Sequence, residues 1–126
     1  MQDEPTPQDI LARVAHFLRS EVMPALSAPH VAFQARVAAN AVDLVIRQLD
    51  LGAAGHITEH ARLVELLGRD DTLTALNTVL ADRIADGSLD PADPAVVAHL
   101  TATTCEKLAV DQPRYSGYRA ALDKDF

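Results

Sequence analysis

Two groups of residues in this chain have the types and spacing to do chemistry. The first is His56-Ile57-Thr58-Glu59-His60, the H-x-x-E-H pattern of the inverted zinc peptidases. Histidines four residues apart share a helix face and can ligate one metal, with the glutamate as base. A catalytic zinc also needs a third protein ligand and a cleft, and no other segment signals either. The competing reading of His56 and His60 is a solvated helix face with no metal. The second group is cationic. Among only 11 Lys and Arg, Arg36 and Arg47 flank Asn40, while Lys107, Arg114 and Tyr115 cluster near a second segment end. The planar fork of arginine suits phosphate or carboxylate, so Arg36, Asn40, Arg47, Lys107, Arg114 and Tyr115 form a candidate site for a phosphate or CoA-like anion. The alternative is internal: Arg36 pairs with Asp43, Glu106 or a helix C-terminus, and Asn40 bonds neighbouring backbone. Cys105 follows Thr103-Thr104 without the base or electropositive setting of a nucleophile. No glycine-rich phosphate loop and no serine elbow occur, so no catalytic residue and no cofactor is expected.

The elements that must position these residues are helical. On a wheel of about 100° per residue, Arg36, Asn40, Asp43, Arg47 and Asp50 fall in one narrow stripe of the segment 31–51. Apart from Gln34 and Gln48, every other position there is apolar or alanine. This inverted pattern predicts a buried central helix whose polar seam meets a groove or a partner. Upstream, Thr6-Pro7-Gln8-Asp9 reads as a capped helix start, with Ile10, Val14, Phe17, Leu18 and Val22 as its inner face up to Pro24. Downstream, Gly52 to Gly55 reads as a joint. A third helix then runs to Gly68 on Ile57, Ala61, Val64 and Leu67. A fourth, capped by Asp70 or Asp71, carries Leu73, Leu76, Leu80 and Ile84 and ends at Gly87. A fifth opens at Asp93-Pro94 and buries Val96 or Val97, Leu100, Thr104 and Leu108. Residues 114–118 read as irregular, and residues 1–5 and 119–126 as poorly ordered. His16, His30 and His99 read as half-buried or surface residues.

The sum is an all-α, compact antiparallel bundle of about five helices in one domain, 1–126. Composition agrees: 48% apolar residues with 4% aromatics and no tryptophan build a core of Leu, Val, Ile and Ala. The single cysteine excludes an intrachain disulfide and fits a cytoplasmic setting. The polar start MQDEPTPQD is no signal peptide, and no apolar run is long enough to span a membrane. A net charge of −7 argues against nucleic acid and anionic lipid as partners.

M-Q-D-x-P-T at the start, Phe33-Gln34-Ala35-Arg36-Val37-Ala38-Ala39-Asn40, Leu66-Leu67-Gly68, and Lys107-Leu108 through Pro113-Arg114-Tyr115 together resemble a small bacterial domain family of unknown function. Members of that family are encoded beside, or fused behind, aminoglycoside-phosphotransferase-like kinases, often near acyl-CoA dehydrogenases. The resemblance covers nearly the whole chain. It matches Phe33, Arg36, Asn40, Lys107, Pro113 and Arg114 and does not call for His56 or His60. It implies a non-catalytic accessory or interaction domain in acyl-CoA-related metabolism, with the kinase-like phosphotransferase or an acyl-CoA dehydrogenase as partner. The anion-binding module is the alternative expectation, and the zinc hydrolase a third. A homodimer is compatible with so many alanines on helical faces.

Overall fold

In a computed structural model, which describes residues 4–124, the chain is all-α, with no strand among the described residues. Helix α1 is Pro7–Phe17, followed by a π-helical turn Leu18–Val22 and a single turn α2, Met23–Ala25. Helix α3 is Pro29–Leu67, α4 Leu73–Ala85, α5 Pro94–Asp111 and α6 Ser116–Leu122. The contacts divide the chain into two compact units, residues 1–50 and 51–126. The expectations for residues 1–3 and 125–126 lie outside the described residues.

In the first unit, Thr6 caps α1 as its sequence requires. Its side chain accepts from the Asp9 N–H, and the Asp9 carboxylate accepts from the Thr6 N–H at 3.0 Å, with Pro7 in the first turn. Pro24 does not end the helix at once. The chain loosens ahead of it into the π turn, where the Met23 N–H bonds the Leu18 carbonyl five residues back. This wider turn accommodates a proline that supplies no N–H of its own. Arg19 in the π turn bonds both Asn40 Oδ1, at 2.9 Å, and the Asp43 carboxylate on α3.

The second unit has a leucine core. Leu63 and Leu67 of α3 meet Leu76 and Leu80 of α4, with Val64, Leu66, Leu73, Val79, Ile84 and Leu89 around them. The helix ends expected at Gly68 and Gly87 are observed, with φ of +68° and +80°, a conformation glycine adopts without a β-carbon clash.

Four expectations are corrected. The segment 31–51 is not buried: Ala39 is its one buried residue, and Phe33, Val37, Leu44, Val45, Leu49 and Leu51 are 36–55% exposed. A narrow polar stripe leaves most of the helix surface apolar, and the described residues of its unit cover only part of that surface. The stripe Ile10, Val14 and Phe17 of α1 is likewise exposed, and Ala15 is the buried residue. The joint at Gly52 to Gly55 does not form, because two glycines cost a long helix only about 1 kcal/mol each relative to alanine and Leu51, Ala53 and Ala54 keep it going. Last, the inner faces of two helices are met only in part. On α3, Leu67 is buried and Val64 packs on the core as expected, but Ile57 is 71% exposed while Glu59 and Leu63 are buried. On α5, Val96 of the pair Val96 or Val97 is buried as expected, but the other buried positions are His99, Thr103 and Val110 in place of Leu100, Thr104 and Leu108. Two smaller points also differ. Thr72, rather than Asp70 or Asp71, caps α4, and residues 116–122 form α6 where irregular chain was expected.

The uninterrupted α3 makes a direct prediction. A β-carbon at Gly55 would meet nothing within 4 Å. Gly55→Ala is therefore expected to stabilise the protein by about 0.5–1 kcal/mol, read as a rise in urea midpoint at unchanged slope.

Candidate functional site

The second unit holds a partly buried polar network. Arg62 on α3 grips Glu106 on α5 with both prongs, Nη1 to Oε1 at 2.9 Å and Nη2 to Oε2 at 2.6 Å, and Nη2 also reaches Thr103 Oγ1 at 3.2 Å. Thr58 Oγ1, one turn earlier on α3, lies 2.9 Å from Glu106 Oε1. The pairing holds the Glu106 carboxyl below its ordinary range and raises the Arg62 guanidinium further, each chiefly through their shared hydrogen bonds. His99, 4% exposed, sits within the field of Arg62, Glu59, Glu106 and Lys107. Burial, reinforced by the Arg62 charge, pushes its pKa down from 6.5 and keeps the imidazole neutral. His99 Nδ1 and Arg62 Nε are buried without a hydrogen-bond partner among the described residues.

Beside this network lies an open groove of about 680 Å³, lined by His56 and Glu59 of α3, six residues of α4 from Leu73 to Asp82, and Lys107 of α5. Glu59 is 5% exposed, and Asn77 Nδ2 donates to its Oε1 at 3.0 Å and to the Leu73 carbonyl at 3.2 Å. Thr78 Oγ1 donates to the Thr74 carbonyl at 3.0 Å, which leaves its lone pairs for an incoming donor.

The residues singled out in the sequence occupy separate places. Asn40 offers its carbonyl to Arg19, not to an anion, and Arg36 is exposed, its guanidinium 5.2 Å above the Phe33 ring. Internal pairing of Arg36 with Asp43 is not observed, since Asp43 and Glu106 are taken by Arg19 and Arg62. Arg47, half-buried on α3, belongs with Arg36 and Asn40 to the first unit, and Lys107, Arg114 and Tyr115 to the second. Arg114 is exposed. Tyr115 leads into α6 with its ring over Gly117, where a β-carbon would come within 2.6 Å of Cε1. His56 lines the groove. His60 Nε2 lies 3.1 Å from Asp70 Oδ1 and 2.9 Å from the Asp71 carbonyl, so this nitrogen carries the proton and donates to two oxygens of the α3–α4 turn. Among the described residues no three His, Cys, Asp or Glu side chains gather as a metal site. His99, expected near the surface, is buried. Sequence reading missed Arg19, Arg62 and the burial of Glu59, and offered Glu106 as a partner for Arg36 where Arg62 holds it. The one signal for Arg62 and Glu59 is their i, i+3 spacing on one face of α3.

Two predictions follow from the network. Glu106→Ala leaves the Arg62 guanidinium without its carboxylate and is expected to cost about 2 kcal/mol, tempered by partial exposure of the pair, read from chemical denaturation. For pH, the unfolded chain protonates His99 at its ordinary 6.5, whereas the folded chain resists protonation until lower pH. The unfolded state thus binds more protons just below 6.5, and stability falls as the solution is acidified. Glu106 adds to the fall below its ordinary 4.5, where the unfolded carboxyl protonates first. Melting temperature should drop between pH 7 and pH 5, and His99→Leu should flatten that drop.

No helix among the described residues is long and apolar enough to cross a membrane. No curated protein and no solved structure matches the chain. Residues 24–115, well over half of its length, match the family described as a domain of unknown function (DUF6285), and the chain belongs to that family.

Proposed function

We propose that this protein is a non-catalytic accessory domain that docks on a kinase-like phosphotransferase in acyl-CoA-related metabolism. One observation carries the reading. Among the described residues of the first unit, the buried ones are two alanines, Ala15 and Ala39. Eight of its large apolar side chains, Ile10, Val14, Phe17, Phe33, Val37, Leu44, Val45 and Leu49, are 36–56% exposed, while others such as Leu11, Val42 and Ile46 are half-buried. Monomeric proteins rarely leave so much apolar surface on one small unit, and such patches mark interaction sites. A unit of about 50 residues with so little buried surface gains most from a partner that covers it. The kinase-like partner and the acyl-CoA setting come from the family resemblance of Phe33, Arg36, Asn40, Lys107 and Arg114, and a bacterial, cytoplasmic context comes with them.

Affinity capture after co-expression with the neighbouring phosphotransferase tests the reading. The wild-type chain is expected to retain the kinase. The double variant Phe17→Glu and Val37→Glu is expected to lose it at least tenfold with an unchanged helical circular dichroism spectrum. Absence of association with the wild-type chain, or self-association of the purified chain that the same variant abolishes, overturns the assignment of this face to the kinase.

A further inference from the structure

The docking reading leaves the groove of the second unit unused, and its charges are oddly disposed. Glu59 lines it while nine-tenths buried, and Asn77 is its one hydrogen-bond donor among the described residues. A carboxylate has about four lone-pair sites, and the second oxygen of Glu59 is not among the buried atoms that lack a partner, so its remaining accepting capacity is open to the solvent of the groove it lines. Arg62 is close enough for its charge to act on Glu59, but both its Nη atoms are spent on Glu106 and Thr103 and it forms no ion pair with Glu59. Lys107 lines the same groove, yet forms no ion pair with Glu59 or any other described residue. Opposite charges thus share one open cavity without touching. Around them the groove offers acceptors: Asn77 Oδ1, since both protons of Nδ2 are used, and the Thr78 lone pairs. His56 adds a second nitrogen donor, and Asp82, exposed on α4, a second carboxylate.

We infer that this groove binds a small amino-acid-like zwitterion, its primary ammonium on Glu59 and Asn77 and its acid group on Lys107. An ammonium brings three N–H donors to a surface that lacks them, and the charge-assisted bond to a sheltered carboxylate is the strong kind. The acid group gives Lys107 the partner that the chain does not. A plain amine satisfies one half of the groove and a plain carboxylate the other half.

Titration of the full-length, ¹⁵N-labelled chain at constant ionic strength tests this. The probes are glycine, β-alanine and γ-aminobutyrate, with ethylamine and propionate as half-ligands. At least one amino acid is expected to shift the amides of His56, Glu59, Asn77 and Thr78 saturably, with an affinity five- to tenfold above either half-ligand. Lys107→Ala, an exposed position, should bring the amino acid down to the affinity of ethylamine, and Glu59→Gln to that of propionate. Three results overturn the inference: no saturable shift with any of the three amino acids, ethylamine binding as tightly as the best of them, or a Lys107→Ala variant that keeps the amino-acid preference. The wild-type comparison stands on its own if Glu59→Gln disturbs the fold.

Discussion

The two-pronged bond between Arg62 and Glu106 is the interaction on which the second unit turns. It ties α3 to α5 at one angular setting of each helix, because a bidentate guanidinium–carboxylate pair tolerates little rotation. Once Glu106 faces Arg62, Thr103 and His99 follow one and two turns earlier on the same side of α5, and both are buried. On α3 the same setting turns Leu63 inward and Ile57 out to solvent. Apolar burial alone would favour Val97, Leu100 and Leu108 of α5 as the inner line. The observed setting keeps the pair together and leaves Val97 and Leu100 exposed, at roughly 25 cal/mol per Å² of apolar area left in water.

The first unit obeys a different rule. Its buried residues are alanines, which bring backbones close but bury little apolar area themselves. Its order comes from local and polar devices: the reciprocal cap at Thr6 and Asp9, the π turn before Pro24, and Arg19 reaching across to Asn40 and Asp43. Because Arg19 and Asp43 are each more than a third exposed, that bridge is worth at most about 1 kcal/mol and orients the helices more than it binds them. What a core would normally supply is left on the outside, as Phe17, Phe33 and Val37.

Legibility from sequence divided along the same line between local and long-range physics. Thr6-Pro7 and Asp93-Pro94 were readable as helix starts, and Gly68 and Gly87 as ends, because cap chemistry is decided within a few residues. The fourth helix, with Leu76 and Leu80 inward, was readable because its inner face is purely apolar. Gly52 and Gly55 misled because a glycine signals a weakness in a helix and not a break, and a helix of 39 residues absorbs two of them. The seam of Arg36, Asn40 and Asp43 was correctly seen as one stripe. Its partner Arg19 was out of view, since no local pattern links positions 19 and 43.

The contrast between Glu59 and Glu106 sharpens what the groove is for. Both carboxylates sit near Arg62, and only one can hold its fork. Glu106 takes it, with Thr58 in support, and both its oxygens are engaged. Glu59 is the more deeply buried of the two, yet is left with a neutral amide donor. An apolar residue at position 59 would carry no desolvation cost there, so stability alone does not account for a buried carboxylate at this place. Glu59 and Lys107 line one open groove with no ion pair between them, and that separation of charge is what the inferred zwitterion site would use.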